Sequence, residues 1–346
     1  MGKKVIVGAG FSAVMYKVLS KEKLKIIGTK SNFPLIFKNS FRRKSLNVNK
    51  FFSFKSMSLG HLKFYLKNVR LHDRISFGGK SNIWGGNINI NKLPIKFLKI
   101  LNKRKIRFKK LNIDSTGTMS NNKSIYQMQN KDDKIFDAQN LSKDLTNGYL
   151  LKFQLKKKKI ILEFLDKKEQ KKIIIVDKLI LGIGLVQLID LLFRSGYLVD
   201  GDKISLSEFD HKFKFNLLKS PFDNDAFTTV RYSFSRGLGH LLGIQYYSYF
   251  LKIFKYIPIA IDQNFYKKKR NCSLSLKEGI IKVSETSSSN FGDSIHYCNM
   301  LINGVKIDKF LKKINKNIIC IGMASVDQKL PGPISNEIIS DIYKKI

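Results

Sequence analysis

Residues 3–7 (KKVIV) place an apolar run directly behind charged residues, the pattern of a short strand buried on both faces. Phe11, Val14, Met15, Val18 and Leu19 then recur at i, i+3, i+4, i+7 and i+8, which predicts a helix with one apolar face. A second apolar run follows at 24–27, so strand, helix and strand fit within 28 residues. Leu151, Phe153 and Leu155 alternate with polar neighbours, and 160–165 and 173–176 continue as strands. Together they predict a small antiparallel meander, with the lysine run 156–159 as a turn and solvated edges that resist edge pairing. Residues 178–181 (KLIL) form another buried-strand pattern and lead into a helix with Leu185, Leu188, Ile189 and Leu192 on one face, closed at Gly196. Residues 318–321 repeat the buried-strand pattern, and Ser335 or Asn336 opens a terminal helix with Ile338, Ile339, Ile342 and Tyr343 on one face.

The remaining stretches are less regular. Residues 31–75 read as loops with short helices, 91–110 as lysine-rich with helix-like apolar spacing, and 112–148 as surface loop with short strands. Residues 212–285 are aromatic-rich and read as an inserted region that covers the first. Within them, 238–261 is strongly apolar, but Lys252 and Lys255 interrupt it and Pro258 breaks it. A spanning helix needs about 20 apolar residues with few charges. The stretch is therefore read as a buried or substrate-facing element, with a membrane-surface helix left open.

The turns carry the chemistry. Gly8-Ala9-Gly10-Phe11-Ser12-Ala13 lies between the first strand and the first helix, the context in which a G-x-G-x-x-[GA] pattern signals dinucleotide binding. Gly8 permits the sharp turn, Gly10 lets backbone approach a pyrophosphate, and Ala13 lets helix pack close to strand. The helix start then offers N–H groups and a partial positive charge to phosphate. The second strand ends Ile27-Gly28-Thr29-Lys30, without the carboxylate expected for a ribose, so Thr29 is the candidate ribose contact. Gly78, Gly79, Ser81, Asn82 and Trp84 belong to a second glycine-dense segment containing the chain's single Trp, where backbone can pass close to a ligand. Gly182 and Gly184 repeat the strand–glycine–helix arrangement, and Gly322 ends the last strand. These patterns predict an α/β fold: a Rossmann-like cofactor domain, with a central parallel sheet, helices and the small meander, and an inserted α+β substrate domain. Residues 1–211 with 291–346 form the discontinuous cofactor domain, and 212–290 the substrate or cap region.

Charge and cysteines narrow the classes. With 64 Lys plus Arg against 26 Asp plus Glu, the formal net charge is +38, which favours anionic partners. Nearly all the cations are scattered lysines, whereas bidentate recognition of phosphate or bases calls for Arg, so a nucleic-acid interface is disfavoured. Cys272, Cys298 and Cys320 show no CxxC spacing, which removes zinc-ribbon and disulfide-framework readings and suits reduced thiols in a cytosol. The first strand starts too early for a signal peptide ahead of it, and position six lacks the Ser or Thr of a myristoylation site. The expected location is cytoplasmic, with peripheral contact at the inner membrane face left open.

Five segments, in order, resemble the glucose–methanol–choline (GMC) family of FAD-dependent oxidoreductases: GAGFSA at 8–13, GGKSNIW at 78–84, KLILGIG at 178–184, Asp210-His211, and a tail of His296, NIICIG at 317–322 and Ser335-Asn336. Trp84 is similar to the pyranose-oxidase-like branch; Ile83 stands where that branch carries a covalent His, so the resemblance implies non-covalent FAD. It further implies oxidation of an alcohol group of a sugar or polyol, such as a polysaccharide-biosynthesis intermediate, by hydride transfer to flavin N5. His296 would be the base, and Asn336, 40 residues on, would hold the same oxygen. Gly8, Gly10, Phe11, Ser12, Ala13, Thr29, Gly78, Gly79, Ser81, Asn82, Trp84, Gly182, Gly184 and Gly322 would line the cofactor. The competing classes are a flavin-binding relative without catalysis, a nicotinamide-dependent reductase using the first motif alone, and a basic binder of nucleic acid or membrane surface. No metal site is expected, and the electron acceptor is unknown.

Overall fold

The computed structural model describes residues 3–28 except 21 and 23, 56–59, 62–66, 87–110, 125–133, 136, 145–216 except 167 and 169, 260–268, 274–277, 280–283, 296–326 and 334–346. The apolar runs become four short parallel strands: β1 (Lys4–Val7), β2 (Lys25–Gly28), β11 (Lys178–Leu181) and β18 (Ile318–Cys320). Between them in sequence lie the three meander strands β8 (Leu145–Lys156), β9 (Lys159–Asp166) and β10 (Lys171–Val176). All seven share one sheet in the order β10-β9-β8-β2-β1-β11-β18. The register sets Ile6 beside Ile26 and beside Ile180, so like residues stack across the sheet.

Helices cover both faces, which is why these strands read as unbroken apolar runs rather than alternations. On one face Ile6, Ile26 and Ile180 pack with α1 (Phe11–Leu19), α2 (Ile95–Lys103) and α5 (Ile334–Lys345). On the other, Val5, Val7, Leu179 and Leu181 pack with α3 (Leu185–Arg194) and α4 (Ile307–Ile314). The result is a three-layer α/β sandwich of Rossmann-like topology, as the sequence predicts.

The sheet changes character along β8. Its first residues pair parallel to β2, with Ile27 opposite Thr146, and the rest of the strand pairs antiparallel with β9. The β8–β9 register shifts between Leu150 and Lys152, which leaves carbonyls outside the regular ladder. The Arg194 guanidinium, at the end of α3, donates to the Leu150 and Leu151 carbonyls, while Ser195 Oγ accepts from the Phe153 amide at 3.0 Å. The same guanidinium is 2.6 Å from Asp190 Oδ2, and the Tyr149 hydroxyl donates to that oxygen at 3.1 Å. Asp190 is fully buried, so its charge is balanced within the core by Arg194.

A second, eight-stranded sheet draws on distant parts of the chain. It contains β3 (Ser56–Leu59), β4 (Leu62–Leu66), β12 (Lys203–Asn216), β13 (Ala260–Lys268), β14 (Leu274–Lys277), β15 (Ile280–Val283), β16 (His296–Ile302) and β17 (Val305–Lys306). Its order is β17-β16-β12-β14-β15-β4-β3, with β13 also on β12. A third sheet pairs β7 (Ile125–Gln129) with β5 (Asn87–Asn89) and β6 (Arg107–Lys110). Strands β3 and β4 stand where the sequence predicts loops and short helices: β4 pairs with β15, more than 200 residues away, which leaves no local signal, and β3 pairs in turn with β4. The expected boundary between 211 and 212 falls inside β12, which pairs continuously with β13 from Glu208 to Asn216. Of the apolar stretch 238–261, residues 238–259 lie outside the described residues, and 260–261 begin β13. Among the described residues, no helix is long and apolar enough to cross a membrane.

Candidate functional site

All four parallel strands run into glycine at their carboxyl ends: β1 into Gly8, β2 into Gly28, β11 into Gly182 and β18 toward Gly322. The ladder extends one step into these turns: the Gly8 amide donates to the Ile27 carbonyl at 2.8 Å, the Gly182 amide to Val7 at 2.8 Å, and the Ile321 amide to Leu181 at 2.9 Å. Gly8 has φ +116, and a Cβ there would strike the Gly182 carbonyl. A Cβ on Gly182 would come within 3.0 Å of the Ala13 Cβ, so Gly182 and the small, fully buried Ala13 let α1 settle onto the strand ends. Gly322, at φ +95, leaves no room for a Cβ against Ser12 Oγ. Gly8 thus makes the sharp turn after β1, and Ala13 the close contact of α1 with Gly182.

Two helices open at this edge. Gly10 is the N-cap of α1, its carbonyl accepting from the Val14 amide at 3.1 Å; Gly184 caps α3 in the same manner, accepting from Leu188 at 2.8 Å. Neither cap carries a side-chain hydrogen bond, and neither first turn contains an acidic residue. Because both helices follow parallel strands, both present their N-terminal partial positive charge at the same sheet edge. Gly10, Ser12 and Gly184 are half-buried there, and Phe11 is buried with its ring edge-on to Phe136 at 6.4 Å. This donor set fits an anionic group such as a diphosphate: glycine caps, backbone N–H groups and no carboxylate in either first turn.

The last strand brings further residues to the edge. The amides of Asn299 and Met300, on β16, donate to the carbonyls of Met323 and Ala324 at 3.2 and 2.8 Å, just beyond Gly322. The strand that begins at His296 is therefore tied to the glycine edge by backbone. Ser325 Oγ donates to the Gly322 carbonyl at 3.0 Å and lies 2.9 Å from Asp341 Oδ2 on α5. Lys345 completes the brace, reaching Asp341, Asp308 at 2.7 Å and the Cys320 carbonyl at 2.8 Å. Burial alone would lower the Lys345 ammonium, but Asp341 and Asp308 outweigh it and hold the group above the ordinary lysine value. Burial drives the Cys320 thiol far upward, so it stays protonated and unreactive.

Asn336 has a different duty from the expected one. It is buried in the first turn of α5, where Oδ1 accepts from the Asn89 amide at 2.9 Å and Nδ2 donates to the Asn89 carbonyl at 2.8 Å. Its carboxamide pairs with the backbone of β5 as a neighbouring strand would, a positioning role rather than a grip on substrate oxygen. Nor is it the helix opener, since α5 starts at Ile334. Thr29, Gly78, Gly79, Ser81, Asn82 and Trp84 lie outside the described residues, and of His296 only the backbone placement is described. Sequence reasoning missed Arg194, although Asp190 and Arg194 four apart in a mostly apolar helix were a usable signal. Ser325 and Lys345 gave none. Among the described residues, no group of His, Cys, Asp or Glu could hold a metal ion.

No family model matches the chain, and no curated protein matches it. Among solved structures it is similar to a flavoprotein/dehydrogenase from Cytophaga hutchinsonii, at 10% identity over 88% of this chain and 72% of that one, with a TM-score of 0.31. It is similar also to a geranylgeranyl bacteriochlorophyll reductase-like protein from Thermoplasma acidophilum, at 12% identity over 99% of this chain and 76% of that one, TM-score 0.37. A third is p-nitrophenol 4-monooxygenase from Pseudomonas putida, at 8% identity over 82% of this chain and 72% of that one, TM-score 0.33.

Proposed function

We propose that the protein is an FAD-dependent oxidoreductase that oxidises an alcohol group of a sugar or polyol. The observation behind this is the glycine edge: four parallel strands end side by side in glycine, and α1 opens over them at an uncapped Gly10. Gly10, Ser12 and Ala13 would hold the diphosphate, with Gly8, Gly182 and Gly322 letting the turns pack closely beneath it and Gly184 opening α3 at the same edge. The meander β8-β9-β10 beside the parallel strands supports a cofactor domain of the kind the GMC resemblance implies, in which Thr29 would meet the ribose and the Gly78–Trp84 segment the ring system.

When bound, FAD supplies the acceptor for a hydride. An alcohol substrate would give up that hydride from carbon and a proton from its hydroxyl to become a carbonyl, and the proton would need a base within hydrogen-bond reach. His296 is proposed as that base, supported by the sequence resemblance and by the backbone tie of β16 to the turn after Gly322. A neutral imidazole suits the task, its ordinary pKa being about 6.5. Asn336 would act at a distance, by fixing β5 through Asn89.

The test is anaerobic single-turnover reduction of the purified, flavin-bearing protein by a panel of sugars and polyols. Bleaching of the flavin bands by at least one alcohol is expected, slowed about 10²- to 10⁴-fold in His296→Ala with flavin content unchanged. A yellow protein that no alcohol bleaches would remove the alcohol-oxidising part of the proposal, and a protein that binds NADPH but no flavin would remove the cofactor part.

A further inference from the structure

The meander carries a face that the redox proposal does not use. Its inner side, with Phe153, Ile160, Leu162 and Phe164, is buried against the α3 side of the core. Its outer side is turned to solvent. There Ile173 and Ile175 of the edge strand β10 are 66% and 54% exposed, although they sit two apart and point the same way. In register beside Ile175 stands the half-buried Ile161, while Ile173 stands beside Glu163, whose carboxylate pairs with Lys152 and Lys171. At the end of this strip the β8–β9 turn presents Lys156, Lys157, Lys158 and Lys159 in succession, all exposed, with Lys157 in the left-handed conformation at φ +55 and Lys159 paired with Asp177. Residues 152–172 contain nine lysines against three acidic residues.

A bare apolar edge strand is an aggregation hazard, and lysines are a common defence. Defence alone needs no exposed isoleucine pair, since polar residues would fit those open positions at no cost to the core. An apolar strip that ends at a run of exposed lysines is instead matched to a surface with apolar depth and anionic heads, even though Glu163 and Asp177 pair with Lys152, Lys171 and Lys159 beside it. We propose that this outer meander face is a docking surface for an anionic lipid bilayer, with Ile173 and Ile175 entering the headgroup boundary and the 156–159 turn lying on the headgroups. A second copy of the chain would bring two such lysine turns together at net +38 each. Single-stranded nucleic acid would call for aromatic platforms or Arg, and the aromatic residues of these ladders, Tyr149, Phe153 and Phe164, are buried in the core.

The experiment is co-sedimentation of the full-length protein with vesicles of phosphatidylcholine alone and of phosphatidylcholine mixed with phosphatidylglycerol. Because the whole protein is basic, local and global charge are separated by matched variants. Lys156→Gln, Lys157→Gln and Lys158→Gln are combined, and compared with Lys96→Gln, Lys99→Gln and Lys103→Gln on the exposed side of α2. The proposal expects binding to the anionic vesicles only. The turn variant should lose affinity about a hundredfold, at roughly fivefold per lysine held at the surface, and the α2 variant less than about threefold. Ile173→Ser with Ile175→Ser, at unchanged charge, should lose about tenfold. Equal losses in the two lysine sets, no loss on removing the isoleucines, or tight single-stranded RNA binding without vesicle binding would each overturn it. Unchanged melting temperatures in the variants establish that the fold survives.

Discussion

The two halves of the seven-stranded sheet solve the same packing problem in opposite ways. In β2-β1-β11-β18 each strand is an apolar run of three or four residues, covered by helices above and below, and it ends in glycine. In β8-β9-β10 apolar and exposed positions alternate, one face is wet, and lysines fill the turns. Parallel strands need crossover helices, which bury both faces and concentrate helix N-termini at a single edge. Antiparallel hairpins need only a turn and leave one face free for something else. The contrast separates a glycine edge from an open face, within one continuous hydrogen-bonded sheet.

The largest effect is expected at the parallel edge. Gly8→Ala must keep φ +116 and place a methyl against the Gly182 carbonyl, a backbone atom that cannot swing aside. It should cost about 3 kcal/mol or more by urea unfolding and remove flavin from the purified protein. The next effect sharpens the joint between the halves. Arg194→Met strands the buried Asp190 carboxylate and the Leu150 and Leu151 carbonyls, and should cost about 3 kcal/mol; adding Asp190→Asn should recover part of the loss, since the uncompensated charge is then gone. The smallest effect belongs to the wet face. Ile173→Ser with Ile175→Ser should change the unfolding free energy by no more than about 0.5 kcal/mol, because both side chains are already more than half exposed. A large loss there would mean that the meander face is packed in the folded protein and that the contrast is false.

The parallel half was legible because its signals are local. Val5 to Val7, Gly8, Gly10 and Ala13 are adjacent in sequence, and the helical spacing of Leu185, Leu188, Ile189 and Leu192 needs no partner to be seen. The meander was legible from alternation for the same reason. The second sheet was not, since β4 pairs with β15 and β12 with β16 across gaps that no periodicity spans. Asn336 shows the limit most clearly. Its type and its place at the head of a helix suit a cap or a catalytic amide, yet its partner is the backbone of Asn89, 247 residues away. A backbone atom has no sequence signature, so the pairing could be found only in three dimensions.

The most direct test of the glycine edge is to denature the purified protein and quantify what it releases. About one FAD per chain, lost in Gly8→Ala and retained in Ile173→Ser with Ile175→Ser, is the expected result. A protein that releases no flavin, and that takes up none when titrated with FAD while remaining folded, would contradict the assignment of this edge to a flavin dinucleotide.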